Sequence, residues 1–239
     1  MSMRASDFFR FPKSLKAFSY FFSDESYPWT WLPNIEKALL AYESFKPRNS
    51  FLKSVKKLFS RASAIQIGDS VYLGENVKLP AVCTIGDRVY IGDGTEIRSG
   101  ALIRGNVIIG KNCVIGNGCE IKNSLLMDHV QVAHFNYVGD SILGSHVHLA
   151  AGAILSNLRF DKREIAVKVG EEKIPTGLKK LGAILGERVQ IGCNAVLLPG
   201  SLVGRDSIVS VGTVFGGVLA EQKIVRSDAK NIIIDRKYV

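Results

Sequence analysis

The chain has 239 residues, 46% of them hydrophobic, with 31 Lys and Arg against 22 Asp and Glu. That length buries a sizeable core, and ordinary hydrophobicity with both charge signs excludes a disordered polar chain. No apolar run approaches the roughly 20 residues that span a bilayer, and the N-terminus lacks the basic, apolar, small-residue order of a secretory signal, so a cytoplasmic location is expected and membrane association is not. The net charge of +9 suits an anionic partner. Without a zinc-finger, basic-zipper or RNA-recognition signature, nucleic acid is not expected.

Residues 1–63 read as an N-terminal helical segment. Asn34 is the expected N-cap of a helix running to about Phe45. Ser50 is the expected cap of a second, amphipathic helix with Phe51, Val55, Leu58 and Phe59 on one face. Phe8, Phe9, Phe11, Phe18, Phe21, Phe22, Trp29 and Trp31 add apolar surface. The expected role is to cap an open sheet end, with a basic, Phe-rich membrane-surface helix as the alternative.

From residue 64 a six-residue period takes over. Aliphatic residues stand at Ile67, Leu73, Leu79, Ile85, Ile91, Ile97, Ile103, Ile109, Ile115 and Ile121 without a miss. A period of six spreads over every face of a 3.6-residue helix, so the pattern predicts short parallel strands. Glycine follows at Gly68, Gly74, Gly86, Gly92, Gly110 and Gly116, where tight corners with unusual backbone angles are expected. Val71, Val77, Val89, Thr95 and Cys113 mark a second inward position, four residues after the aliphatic one. Three hexads make a triangular coil, and stacked coils satisfy one another's backbone groups.

The ladder slips by one residue near Leu126, continues through Val132 and Val138, slips again to Leu143, and reaches Leu149 and Leu155. A charged stretch then breaks it until Leu185, after which Ile191, Leu197, Val203 and Val209 restore it. The expected organisation is a β-helix domain over 64–216, an extruded loop over 158–183 and a C-terminal tail over 217–239. Long excursions on a rigid scaffold are often functional.

Cys83, Cys113, Cys119 and Cys193 form no CxxC pair and read as small buried thiols. All four histidines lie between His129 and His148. A histidine in this stretch suits general base chemistry near neutral pH, although an exposed corner histidine fits the spacing as well. His129 and His134 could furnish two metal ligands, but no histidine precedes them to supply the upstream ligand of the zinc β-helix enzymes, so no protein-bound metal is expected.

Three phrases carry a resemblance: Glu120-Ile121-Lys122-Asn123-Ser124, His134-Phe135-Asn136-Tyr137-Val138-Gly139-Asp140-Ser141-Ile142, and Ala151-Gly152-Ala153-Ile154-Leu155-Ser156-Asn157. With the hexads, over residues 65–215, the chain resembles the acetyltransferase domain of the bifunctional glucosamine-1-phosphate acetyltransferase/uridyltransferases and their archaeal sugar-phosphate relatives. The resemblance implies an all-β, left-handed parallel β-helix, a homotrimer with sites between neighbouring β-helices reached by the extruded loop, acetyl-CoA as co-substrate and an amino-sugar 1-phosphate as acceptor.

By the same resemblance the catalytic base is His134 and its acidic partner Glu120. Acceptor binding falls on Lys122, Tyr137 and Asn157, on His148 where the family has asparagine, and on Arg98 for phosphate, with Arg104 as its rival. Ala151 and Cys193 line the coenzyme A groove. Leu158 departs from the tyrosine that often follows the asparagine. The glycine-free stretch 1–63 has no phosphate-cradling loop, so uridyltransfer is not expected. A non-catalytic β-helix trimer that binds a sugar nucleotide or a partner nucleotidyltransferase is the alternative.

Overall fold

A computed structural model describes residues 3–45 and 64–228. From Ala64 to Val225 the chain winds through three parallel sheets, of eight, eight and seven strands. Face A runs from Ala64–Ile67 to Val214–Phe215, face B from Val71–Leu73 to Val218–Leu219, and face C from Glu96–Ile97 to Ile224–Val225. Each coil bonds to the next through its backbone, as where Gly68 N–H donates to Ile85 O and Gly86 N–H to Ile103 O, both at 2.7 Å. The two last strands carry the coil past residue 216, so the expected tail begins later than the sequence suggested.

The inward ladder forms one buried core. Ile85, Ile91, Ile97, Ile103, Ile109, Ile115 and Ile121 are buried in it, with Ile67, Leu73 and Leu79 packed against it at the open first coil. The second inward position is buried too, and its one early polar member is satisfied: Thr95 Oγ1 donates to Gly110 O at 2.8 Å and accepts from Cys113 N–H at 3.0 Å. The glycines after the aliphatic residues serve a different purpose from the one expected. Gly86 and Gly116 do not have positive φ; a Cβ there would run into the carbonyls of Arg104 and Ala133 on the next coil. The left-handed backbone falls later in the corners, on residues such as Asn76, Arg88, Asn106 and Asn112.

Every departure from the six-residue step lies at one corner. Between faces A and B the inward residues are Ile121 and Leu126, then Val138 and Leu143, each pair five positions apart. On the following coil the same corner opens between Leu155 and Leu185 to release the insertion. The other two corners keep the step throughout.

The described part of the N-terminal segment, residues 3–45, lies along face B and not across an end of the coil. The outward residues of that face, Tyr72, Tyr90, Ile108, Leu125, Ile142, Ile184, Leu202 and Val218, stand in register as an apolar stripe. Phe8, Phe9, Phe18, Trp29, Trp31, Ile35 and Leu39 are buried in one cluster with it. Burying a stripe of this kind is the main drive for docking a segment on a sheet. Polar contacts fix its place: Ser14 Oγ donates to Asp128 Oδ1 at 2.5 Å, and Arg10 N–H to Glu187 Oε1 at 2.8 Å.

Within the segment, α1 spans Ala5–Phe8 and α2 spans Leu32–Phe45. A 3₁₀ turn over Pro28–Trp31 leads directly into α2, so Asn34 sits inside the helix and is not its cap; its Nδ2 donates to Phe21 O at 3.0 Å. Proline at the first position of that turn starts the helical backbone earlier than expected. The helix expected from Ser50 lies outside the described residues.

The insertion is an antiparallel hairpin of Ile165–Val169 and Glu172–Leu178. Its alternation turns Ile165 and Val167 into the face B cluster. The hairpin therefore packs along its own chain beside the N-terminal segment.

Candidate functional site

Face A, with a corner on either side, gathers the chemistry-bearing residues. At the corner from face C, Asn117 and His134 are register partners, Gly152 N–H donates to His134 O, and Asn194 N–H to Ala151 O. His134, Ala151 and Cys193 thus follow one another on consecutive coils, about 4.8 Å apart. His134 ends the strand Gln131–His134 and is exposed. Its backbone is held from inside: its N–H donates to Asn136 Oδ1 at 3.2 Å, and the buried Asn136 donates through Nδ2 to Ala150 O at 2.7 Å. Among the described residues the His134 ring has no hydrogen-bond partner. Cys83, Cys113 and Cys119 are buried as expected, whereas Cys193 is exposed.

On the face itself, Glu120, Tyr137 and Ile154 are in register. Glu120 Oε1 accepts from Arg104 Nη1 at 2.9 Å and does not pair with His134. Burial pushes the Tyr137 phenol up, and the carboxylates of Asp140 and Glu120 push it further. The phenol consequently stays protonated and able to donate at neutral pH.

The shortened corner between faces A and B builds the most connected polar group. Asp140, buried and in left-handed backbone, accepts from Asn123 Nδ2 at 2.8 Å and from Asn157 Nδ2 at 2.5 Å, and lies 3.4 Å from Lys122 Nζ. Three consecutive coils meet at this one carboxylate. Gly139 leaves the space for it, since a Cβ there would lie 2.5 Å from the Tyr137 hydroxyl and 2.7 Å from Asn157 Nδ2. Arg88, Arg104, Lys122, Asn123, Asp140 and Lys180 line a cleft of 530 Å³. Such a cleft can hold an anion through Lys and Arg while the amides orient hydroxyl groups.

The structure separates two of the expected residues from this group. Arg98 stands at the other corner with its Nε 2.9 Å from Glu96 Oε1, while Arg104, its rival, stands beside Lys122. His148 lies on face C, in register with Gln131 and Gln190, in a cleft shared with the stacked rings of His129 and His146. Asp140 and Asn123 were not singled out from sequence, although both stand in the quoted phrases; the shortened steps on either side were their signal. Among the described residues no group of three or more His, Cys, Asp or Glu is placed to hold a metal ion. No helix among them is long and apolar enough to cross a membrane.

Residues 68–172 match the family model described as "EIF2B subunit epsilon LbH domain", LbH being the left-handed β-helix. The chain is 39% identical over 93 residues to a bifunctional sugar-1-phosphate nucleotidylyltransferase/acetyltransferase of Sulfurisphaera tokodaii, covering 39% of this chain and 23% of that protein. It is 31% identical over 112 residues to the bifunctional protein GlmU of Methanococcus aeolicus, covering 47% and 27%. It thus spans about a quarter of the length of these relatives. Among solved structures, the UDP-N-acetylglucosamine acyltransferase of Francisella novicida is similar with a TM-score of 0.44 and 16% identity, over 66% of this chain and 59% of that one. The fold is the left-handed parallel β-helix, and over its coils the chain resembles hexapeptide-repeat acetyltransferases.

Proposed function

From a hexapeptide-repeat β-helix similar to the acetyltransferase region of sugar-1-phosphate enzymes, we propose that this chain transfers acetyl from acetyl-CoA to the amino group of an amino-sugar 1-phosphate. The observation that carries the reading is the pairing of an exposed, unpartnered imidazole at one edge of face A with a Lys122–Asp140–Asn157 cluster at the other. The acceptor phosphate binds Lys122 and Arg104, and Tyr137 donates to the sugar between them and His134. Ala151 and Cys193 line the run of the coenzyme A arm.

The amine lone pair attacks the thioester carbonyl carbon while neutral His134 takes the proton that the nitrogen releases. The tetrahedral intermediate collapses, the C–S bond breaks, and the imidazolium returns its proton to the departing thiolate. The products are the N-acetyl sugar phosphate and coenzyme A. Glu120 is held by Arg104 on the same face, in register with Tyr137, where it helps fix the acceptor. A homotrimer supplies the second wall of each site, and a cytoplasmic location matches the source of acetyl-CoA.

The test is release of free thiol from acetyl-CoA with a panel of amino-sugar phosphates. Turnover with at least one acceptor, lost in His134→Ala, is expected. No turnover with any of them, or turnover that survives the substitution, contradicts the proposal.

A further inference from the structure

The corner that bears His134 repeats a left-handed residue on six consecutive coils: Gly100 (φ 79°), Gly118 (66°), Phe135 (53°), Gly152 (75°), Asn194 (54°) and Gly212 (61°). Glycine takes this backbone without strain and asparagine tolerates it, while a bulky side chain is an outlier there. Among the described residues Phe135 is the only apolar side chain at positive φ. Its ring gains little from packing to offset this, since it is 64% exposed. Strain kept at one coil of a repeat, beside an exposed imidazole, points to use by a ligand.

The direction of the ring says which ligand. Its Cδ1 lies 2.6 Å from where a Cβ of Gly118 would stand, so the ring covers the coil that carries Glu120. Ala151 and Cys193 lie on the opposite side of His134. The ring therefore borders the acceptor half of the site and turns away from the coenzyme A half. We infer that Phe135 is a specificity-determining residue for the acceptor, its ring packing on the apolar C–H face of a pyranose whose amine is held at His134. This rests on the proposed acetyl transfer. It restricts the acceptor to a cyclic sugar and disfavours an open-chain amine.

Phe135→Asn and Phe135→Gly, which copy neighbouring coils of the same corner, test it in the full chain. Melting temperature is expected to hold or rise, the acceptor KM to rise about tenfold from loss of part of one buried ring, and the acetyl-CoA KM to stay unchanged. Phe135→Tyr is expected to keep wild-type constants. A lower melting temperature or a smaller assembly in both variants would show that the ring packs between copies and overturn the inference. An unchanged acceptor KM in an active enzyme overturns it as well. If the wild type turns over no acceptor, the acetyl-transfer reading fails separately, and calorimetry with glucosamine 1-phosphate decides: weaker binding by Phe135→Asn supports the inference, equal or absent binding overturns it.

Discussion

The corner that carries His134 is held by other atoms: Asn136 braces the backbone from within, and the exposed imidazole makes no hydrogen bond among the described residues. His134→Ala is therefore expected to leave the melting temperature unchanged while kcat falls by about 10²–10⁴-fold, the usual weight of a general base. Asp140 has the opposite character, buried and shared by Lys122, Asn123 and Asn157. Removing its charge leaves Lys122 unpaired and frees the Asn157 amide to turn. Asp140→Asn is expected to raise the acceptor KM about tenfold with little change for acetyl-CoA, as steady-state kinetics will show. The thiols separate by burial. Burial pushes Cys83 up to about 11 and Cys113 up to about 12, and it raises Cys119 too. Raised thiols stay protonated and inert near pH 8 and react only as the pH climbs toward those values. Disulfide-exchange labelling of the native protein at pH 8, read by mass spectrometry, is expected to modify Cys193 first.

At the scale of elements, the two outward faces predict different responses. Ile108 and Leu125 on face B are fully buried beneath the N-terminal segment, and either one changed to alanine is expected to destabilise by about 2–5 kcal/mol in chemical denaturation. Gln131 on face C is exposed, and Gln131→Ala is expected to stay within about 0.5 kcal/mol of wild type. The inward ladder was legible because each hexad repeats one demand, an aliphatic residue in the core. The face B stripe was not, because Tyr72, Tyr90 and Ile108 recur once per coil, a period hidden inside three hexads. The same holds for the site. His134, Tyr137 and Asn157 were recognisable from their phrases, whereas the meeting of Asn123, Asp140 and Asn157 depends on which corner each slip falls in. Arg104 lies beside Lys122 and Arg98 does not for the same reason: the two are six positions apart in sequence but belong to different corners.

Among the described residues, the N-terminal segment and the hairpin cover face B and leave faces A and C for other contacts. The cleft at Lys122 and the proposed base His134 lie at opposite edges of face A, so a site closed on one side only is what a single chain offers. Assembly of three chains of 26.1 kDa, measured by light scattering, is the expected state. The central claim is that one acceptor spans face A from Lys122 to His134. A crystal structure with coenzyme A and glucosamine 1-phosphate tests it most directly. Phosphate is expected at Lys122 and Arg104, with the amine within hydrogen-bond reach of a His134 nitrogen. Phosphate bound elsewhere, or His134 sealed away from the sugar by its own or a neighbouring chain, would contradict it.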